Sequence, residues 1–437
     1  VPHFEKMLDV NAGMVELMTL VWRETQNELL KRRIAEAVGF LLSEMRLADG
    51  AFAGSLDADS LDAGGEEREG VFYLWDKKEI LKLLGEDGPL FAAAYGIAEP
   101  ENVLDEDLGD AGTLYRSEQP LEMLSETFKL STENVDKRLV KGLDVLKQHR
   151  ANRPRPRRDD KILADWTGMA VKAVAEAGLA FKRDDWVEAA LKAFKAAERS
   201  LTDADGRLRH SAYDKNLGAP ATLAGLAEMA RSALVLFEAT GDKGYLDKAT
   251  RWTDAAASRH WDEKAGGFFT AALDAGPSLV RLKPVIDDPN TSGNARMAEV
   301  LALLYYLKGE AKHRDRAGKT LLAVGGAAKE AAPEMAGLFN AAETLDATLQ
   351  IVLIGRRGND ATDALFNLVM ETSLPNRAVD IIAPGTVLPE GHPARYKEQL
   401  DGKATAYVCR GTVCSLPVTG PKELTETLLL MRKDGPF

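Results

Sequence analysis

The sequence predicts a mainly α protein: an array of helical hairpins, a toroid or solenoid, followed by a small C-terminal α/β subdomain. Three observations predict it. Ala- and Leu-rich segments with helical periodicity fill the first two thirds of the chain. Short glycine turns recur between them, Asp49-Gly50-Ala51-Phe52, Asp205-Gly206-Arg207-Leu208 and Gly266-Gly267-Phe268-Phe269, and helix pairs of roughly 50 to 70 residues suggest a repeat array. The last quarter then changes to short, continuously apolar runs, ATLQIVLIG, AVDIIA and ATAYVC, which read as buried strands. We place the boundary near Thr344, giving an α/α array over 1–344 and an α/β subdomain over 345–437.

Taken in order, Asn11–Arg23 and Gln26–Leu47 read as an antiparallel helix pair closed by Asp49-Gly50. A Gly-rich acidic loop follows. Asp76 with Glu79 forms a capping-box pattern that opens a short helix to Leu84. Gly88–Gly96 and Leu121–Phe128 are short helical pieces, Pro100–Arg116 is irregular and acidic, and Ser131 starts a longer helix to about His149. The run RPRPRR, Arg153–Arg158, is too proline-rich for helix and reads as an extended connector, packed or solvated. Long helices are predicted over Asp165–Phe181, Asp184–Leu201, Pro220–Thr240, Lys243–His260, Asn294–Lys308, Ala311–Val324 and Glu334–Leu345. The strand Ala347–Gly355, the helix Asp360–Glu371 and the strand Ala378–Ala383 make a βαβ unit, and Ala404–Cys409 and Pro421–Met431 add a strand and a closing helix.

The chain has 437 residues, 45% hydrophobic and 28% charged, with a formal net charge of −12. That charge argues against a general nucleic-acid or anionic-membrane binder, and no apolar run of about 18 residues predicts a membrane span. Two cysteines are too few for a disulfide framework, so a reducing, cytoplasmic setting is the default. Cys409-x4-Cys414 lacks the CxxC spacing of redox motifs and reads as two packed, reduced thiols. There is no phosphate-binding loop, dinucleotide fingerprint or HExxH, and the six histidines are scattered, so neither a cofactor nor a metal is expected.

The stretch Ser55–Trp75, SLDADSLDAGGEEREGVFYLW, sets six carboxylates beside Phe72, Tyr73 and Trp75. Carboxylates next to aromatic rings suit a polar, ring-shaped ligand such as a sugar; the same composition also fits a solvated acidic loop. Asp165 and Trp166 open a buried helix, where Asp165 either faces the helix dipole or binds a hydroxyl. The polar run DDPNTSGN, Asp287–Asn294, enters another helix by capping or faces a pocket. His3 and Glu5 flank Phe4 at the start, where Glu5 is either an acid with a raised pKa or an exposed helix-start residue.

Together, VPHFEKML, SLDADS with EGVFYLW, RPRP with DDKILADWTG, SGNA, and AYVCRGTVCSLPVTGP resemble the YyaL family, whose animal members are spermatogenesis-associated, thioredoxin-domain-containing proteins. The motifs follow family order over nearly the whole chain. The resemblance implies an (α/α)6 toroid, similar to six-hairpin glycosidases and N-acylglucosamine 2-epimerases, incomplete here at its N-terminus. It also implies an upstream thioredoxin-like domain absent from this sequence, which begins inside a motif. Two positions depart from the family: Thr167 stands where Trp-Asn-Gly is usual, and Leu223-Ala224-Gly225 where an Asp pair is frequent.

Three functions follow as expectations. The first is glycosidase-like chemistry, or sugar binding, in a toroid funnel. Hydrolysis needs two carboxylates about 5 Å apart for retention or about 6.5–9.5 Å for inversion. Asp57 or Asp59 is the candidate base and Glu5 or Asp165 the candidate acid, with His3, Glu69, Tyr73, Trp75, Trp166, Asp288 and Asn294 contacting the sugar. The second is a 2-epimerase-like isomerase using His210 and His260. The third is a non-enzymatic module that presents a client protein or a glycan to the thioredoxin-like domain.

Overall fold

The computed structural model describes residues 3–96, 112–116, 120–276, 280–326 and 331–433. Most of the predicted irregular segment Pro100–Arg116 lies outside them. The chain divides into two compact units: residues 1–7 with 55–159, and residues 8–54 with 160–437. The first is an insertion in the second, a division that the sequence pattern does not mark.

The chain opens with the short strand β1 (Lys6–Met7), then α1 (Leu8–Thr25) and α2 (Glu28–Phe40), which continues as one π-helical turn to Met45. Asn27 caps α2 by accepting the Leu29 and Leu30 N–H groups. The inserted unit holds β2 (Ser55–Leu56), β3 (Asp59–Leu61), β4 (Glu67–Glu69), α3 (Lys77–Leu84), α4 (Gly88–Ala94), α5 (Leu121–Phe128), α6 (Thr132–Arg150) and β5 (Arg158–Asp159). Asp76 caps α3 through the Lys78 and Glu79 N–H groups, as its pattern predicts. Strand β2 lies between β1 and β5, and Ser55 is the direct partner of Asp159. The insertion therefore leaves and returns side by side. Its core gathers Trp75, Ile80, Leu90, Phe91, Leu124 and Leu139.

The larger unit continues with β6 (Ile162–Leu163), α7 (Ala164–Ala180), α8 (Asp184–Leu201), β7 (Ser211–Tyr213), β8 (Asn216–Leu217), α9 (Leu223–Thr240), α10 (Lys243–Arg259), α11 (Gly293–Lys308), α12 (Ala311–Gly325) and α13 (Ala336–Ala347). Helices α1, α7, α9, α11 and α13 pack side by side in that order. Helices α2, α8, α10 and α12 are their outer partners, each returning antiparallel to its predecessor. The described residues thus hold four hairpins and a fifth inner helix. All five inner helices line one cavity, so they surround a common centre, as a toroid requires. Burial separates the layers: α7 and α9 are buried almost all round, whereas α8 buries one face.

Glycine permits the close inner packing. A Cβ on Gly168 of α7 would lie 2.5 Å from the Glu228 carbonyl carbon of α9. The predicted glycine turns are a structural repeat. After α2, α8 and α10 the chain folds back in a bridge, Arg46 with Phe52, Thr202 with Leu208, and Trp261 with Phe268.

The C-terminal part contains β9 (Leu349–Ile354), α14 (Asp360–Glu371), β10 (Arg377–Ile382), β11 (Thr405–Arg410), β12 (Val413–Cys414) and α15 (Pro421–Lys433). The sheet order is β10-β9-β11-β12; β9 and β10 are parallel across α14, and β11 is antiparallel to β9. Contrary to the expectation of two packed, reduced thiols, Cys409 and Cys414 form a disulfide. The β11–β12 hairpin sets them directly opposite each other with Cα atoms 4.0 Å apart, a cross-strand proximity that sequence spacing alone does not reveal. No described helix is long and apolar enough to cross a membrane.

Candidate functional site at the mouth of the inner helices

The inner helices α1 and α7 begin side by side, and each carries an aspartate in its first turn, Asp9 and Asp165. The β6–β7 ladder, Ile162 with Ala212 and Leu163 with Ser211, brings the next residue, His210, against the start of α7. The Ala164 N–H donates to the His210 carbonyl at 2.9 Å. From the loop before α11, the Asn290 amide donates to Asp9 Oδ2 at 2.7 Å. Four residues distant in sequence thus meet at one end of the inner ring.

Burial pushes the Asp165 carboxyl up, against the opposing pull of the His210 imidazole and the Trp166 N–H, and the Asp9 charge adds to the rise. Asp165 Oδ1 accepts the Trp166 N–H at 3.0 Å. Asp9 Oδ1 and His210 Nδ1 are buried with no hydrogen-bond partner. Buried polar atoms are nearly always paired. A cluster of unfilled ones next to a carboxyl biased toward its protonated form suits a ligand rich in hydroxyls, which both donate and accept. Trp166 is half-buried beside it.

Deeper in, the centre of the ring is filled by charge. Glu16, Glu176, Glu228, Glu238 and Glu299 interleave with Arg23, Lys172, Arg231, Arg296 and Arg377. Arg231 alone reaches Glu16 (Nη1 to Oε2, 3.1 Å) and Glu299 (Nε to Oε1, 2.9 Å). Burial would raise Glu16 and Glu299, but Arg231 overrides it, with Lys172 at Glu16 and Arg296 at Glu299; Glu299 is held down at about 2. Glu238 goes the other way, raised by burial despite Arg377. A cavity of about 260 Å³ remains among these side chains, closed on one side by Pro375–Arg377 ahead of and into β10. The sequence reading named none of these residues. Their signal was charge at i and i+4 on otherwise apolar helices, as at Lys172 and Glu176, which also occurs on solvated faces.

The residues singled out from the sequence separate into two groups. Asp165, Trp166 and His210 belong to the mouth just described. His260 follows α10, is 1% exposed, bonds through Nδ1 to the Phe269 carbonyl, and lines a separate cavity of about 170 Å³. Burial lowers its pKa. Asn294 is a staple of the glycine turn: its Oδ1 accepts the Phe268 N–H, and its Nδ2 donates to the Phe268 and Pro284 carbonyls. With every polar atom used, it has none for a substrate. Asp288 is exposed; its neighbour Asp287 instead caps by accepting the Ser292 and Gly337 N–H groups.

His3, Glu5, Asp57, Asp59, Glu69, Tyr73 and Trp75 all lie in the inserted unit. There the acidic loop is the β3–β4 hairpin, with Asp59 opposite Glu69 and Asp62 holding the turn through the Gly64 and Glu66 N–H groups. Asp57 Oδ1 accepts the Asp59 N–H at 3.3 Å, and Asp57 Oδ2 lies 3.7 Å from Arg157. His3 and Glu5 are exposed. Trp75 is 1% exposed in the unit's core with Arg153 over its ring, so it offers no stacking wall. Tyr73 stacks on Phe4 with Lys6 4.4 Å from its ring centre. Gly70 of EGVFYLW is required by φ +77° and by the Phe4 ring, 2.5 Å from where a Cβ would stand. Among the described residues no cluster of His, Cys, Asp or Glu has the arrangement of a metal site.

Homologues of the chain are named spermatogenesis-associated protein 20. The human protein is 28% identical over 466 residues, covering 98% of this chain and 58% of that protein. An uncharacterised Caenorhabditis elegans protein is 24% identical, covering 98% of this chain and 61% of that one. The chain therefore spans a little over half the length of these relatives. No protein-family profile matches it. Among solved structures, a D-mannose isomerase overlaps 74% of this chain and 75% of its own at 14% identity and a TM-score of 0.37. A family 76 α-mannanase from Bacteroides thetaiotaomicron overlaps 67% and 85% at 16% identity, again at 0.37. Overlap at that level assigns no reaction.

Proposed function

We propose that the helical array binds a carbohydrate at the Asp165–His210 mouth and acts on it by glycosidase-like acid–base chemistry. The observation that carries this reading is the meeting of a carboxyl raised by burial with two buried, unfilled polar atoms, Asp9 Oδ1 and His210 Nδ1. In this reading Asp165 is the proton donor, since burial favours its protonated form. Asp9 is the second carboxylate that hydrolysis needs. His210 orients a sugar hydroxyl, and Trp166 offers a stacking face. The mouth, rather than the centre, is the reacting region, because the central glutamates are already paired with arginine and lysine. The isomerase reading draws no support from His260, whose Nδ1 is bonded to backbone in another cavity.

One observation favours a second reading, a binding module without turnover that serves a thioredoxin-like domain: the glutamates around the central cavity are already paired with arginine and lysine. A thermal-shift screen of the chain against mono- and oligosaccharides, followed by product analysis on any hit, separates the two. The hydrolytic reading expects a stabilising sugar whose cleavage is lost in Asp165→Asn while its binding persists. A sugar that stabilises but is never cleaved establishes the binding module. The absence of stabilisation by any sugar defeats the hydrolytic reading and leaves only a module that presents a client protein.

A further inference from the structure

The Cys409–Cys414 bond stands apart from the sugar site and has features that a fold staple does not need. Its two sulfurs are in unequal positions. Cys409 sits on β11 at 2% exposure, whereas Cys414 on the two-residue β12 is exposed. The bond spans a sequence separation of only 5, and a loop that short contributes at the low end of what a disulfide adds to stability. The hairpin is already fixed without it. β11 pairs along its length with β9, and beyond β12 the Ser415 N–H donates to the Val408 carbonyl while Ala406 and Val418 exchange both backbone bonds.

The surroundings of Cys414 suit docking of another protein. Strand β12 ends the sheet order, so its outer edge has no strand partner among the described residues. Apolar side chains flank the exposed sulfur, Val413 at 65% and Leu416 at 85% exposure. An extended segment with an open edge and alternating side chains is what a partner can add to by main-chain hydrogen bonds.

We propose that Cys409–Cys414 is a thiol–disulfide exchange site whose reaction partner is a dithiol protein of the CxxC class. The partner's thiolate attacks Cys414 Sγ, the accessible sulfur. The Cys409–Cys414 bond breaks as the mixed disulfide forms, and its electron pair leaves on Cys409 Sγ, which takes a proton from water. The partner's second thiolate then attacks its own mixed-disulfide sulfur and releases Cys414, which is protonated in turn. Two electrons pass from the dithiol to this chain, the partner ends as a disulfide, and both cysteines end as thiols. The reverse sequence reoxidises the pair.

The test is trapping with the oxidised, folded chain and a CxxC oxidoreductase whose second cysteine is replaced by serine, read by peptide mapping. The expected result is a mixed disulfide on Cys414 and none on Cys409. In parallel, dithiothreitol reduces the native chain without denaturant and with no loss of the cooperative melt, and Cys409→Ser/Cys414→Ser folds with the same circular dichroism. A bond reduced only after unfolding, an adduct on Cys409, or no adduct at all overturns the proposal. So does a collapse of the fold on reduction, which makes the bond a staple.

Discussion

Asp165 carries the functional reading, and its titration makes a prediction of its own. Its folded pKa is raised, so its contribution to stability is fullest below the ordinary carboxylate range and is lost as pH rises through the folded value. Asp165→Asn should therefore melt higher than the parent chain at pH 7, with the difference shrinking toward pH 4; thermal melts across that range check it. Asp380 gives the same sign with a magnitude. It is buried on β10, and burial raises it to about 6 against the opposing charge of Lys243, with His392 Nε2 3.8 Å away. Asp380→Asn should gain about 2–3 kcal/mol at pH 7, from about 1.4 kcal/mol per unit, and nothing near pH 4, read by urea midpoints. At this scale the sequence was partly legible. Asp165 and Trp166 were legible as a carboxylate beside an aromatic ring where a buried helix opens, and His210 as a histidine at a hairpin loop. Asp9 was not, since an aspartate in a helix first turn is ordinary. Trp75 misled because aromatic clusters serve cores as readily as ligands.

Between elements, the ring is held by ions and by glycine. Arg231 of α9 ties α1 to α11 through Glu16 and Glu299. Arg231→Ala strips the buried carboxylates of Glu16 and Glu299 of one of their two cations and should cost about 3–5 kcal/mol. Because the network is buried, the loss should persist in high salt; denaturation at low and high ionic strength checks both statements. Gly168→Ala meets the Glu228 backbone, which cannot swing aside as a side chain would. Overpacking of this kind costs about 1–3 kcal/mol, and a lowered melting temperature with the helix α7–α9 packing disturbed is the expected outcome. Helix and strand positions were readable from periodicity to within a few residues, and the Asp76 cap and glycine turns from local chemistry. The ion network was not, because a sequence shows charges on helices but not which faces turn inward.

For the whole molecule, the sequence showed an array of hairpins but not the interruption. Phe52 and Leu208 are successive bridge positions of the repeat, yet residues 55–159 intervene. Since Ser55 pairs with Asp159, the ends of that insertion are adjacent. Joining Gly54 directly to Asp160 in a chain that starts at Leu8 should leave a cooperatively folding helical array, checked by circular dichroism and calorimetry; a molten or aggregated product would contradict the division. In the functional reading the carboxylate proposed to work with Asp165 is Asp9, which lies in the same unit and whose charge bears on Asp165. The central claim is that a sugar sits against Asp165 and His210, and side-chain NMR of the imidazoles tests it most directly. The chain has six histidines. On titration with the sugar that stabilises it best, the account predicts that the His210 ring resonances shift while those of His260 and His313 stay fixed, and that the shift persists in Asp165→Asn, which binds the sugar without cleaving it. A bound sugar that leaves His210 unmoved would contradict it.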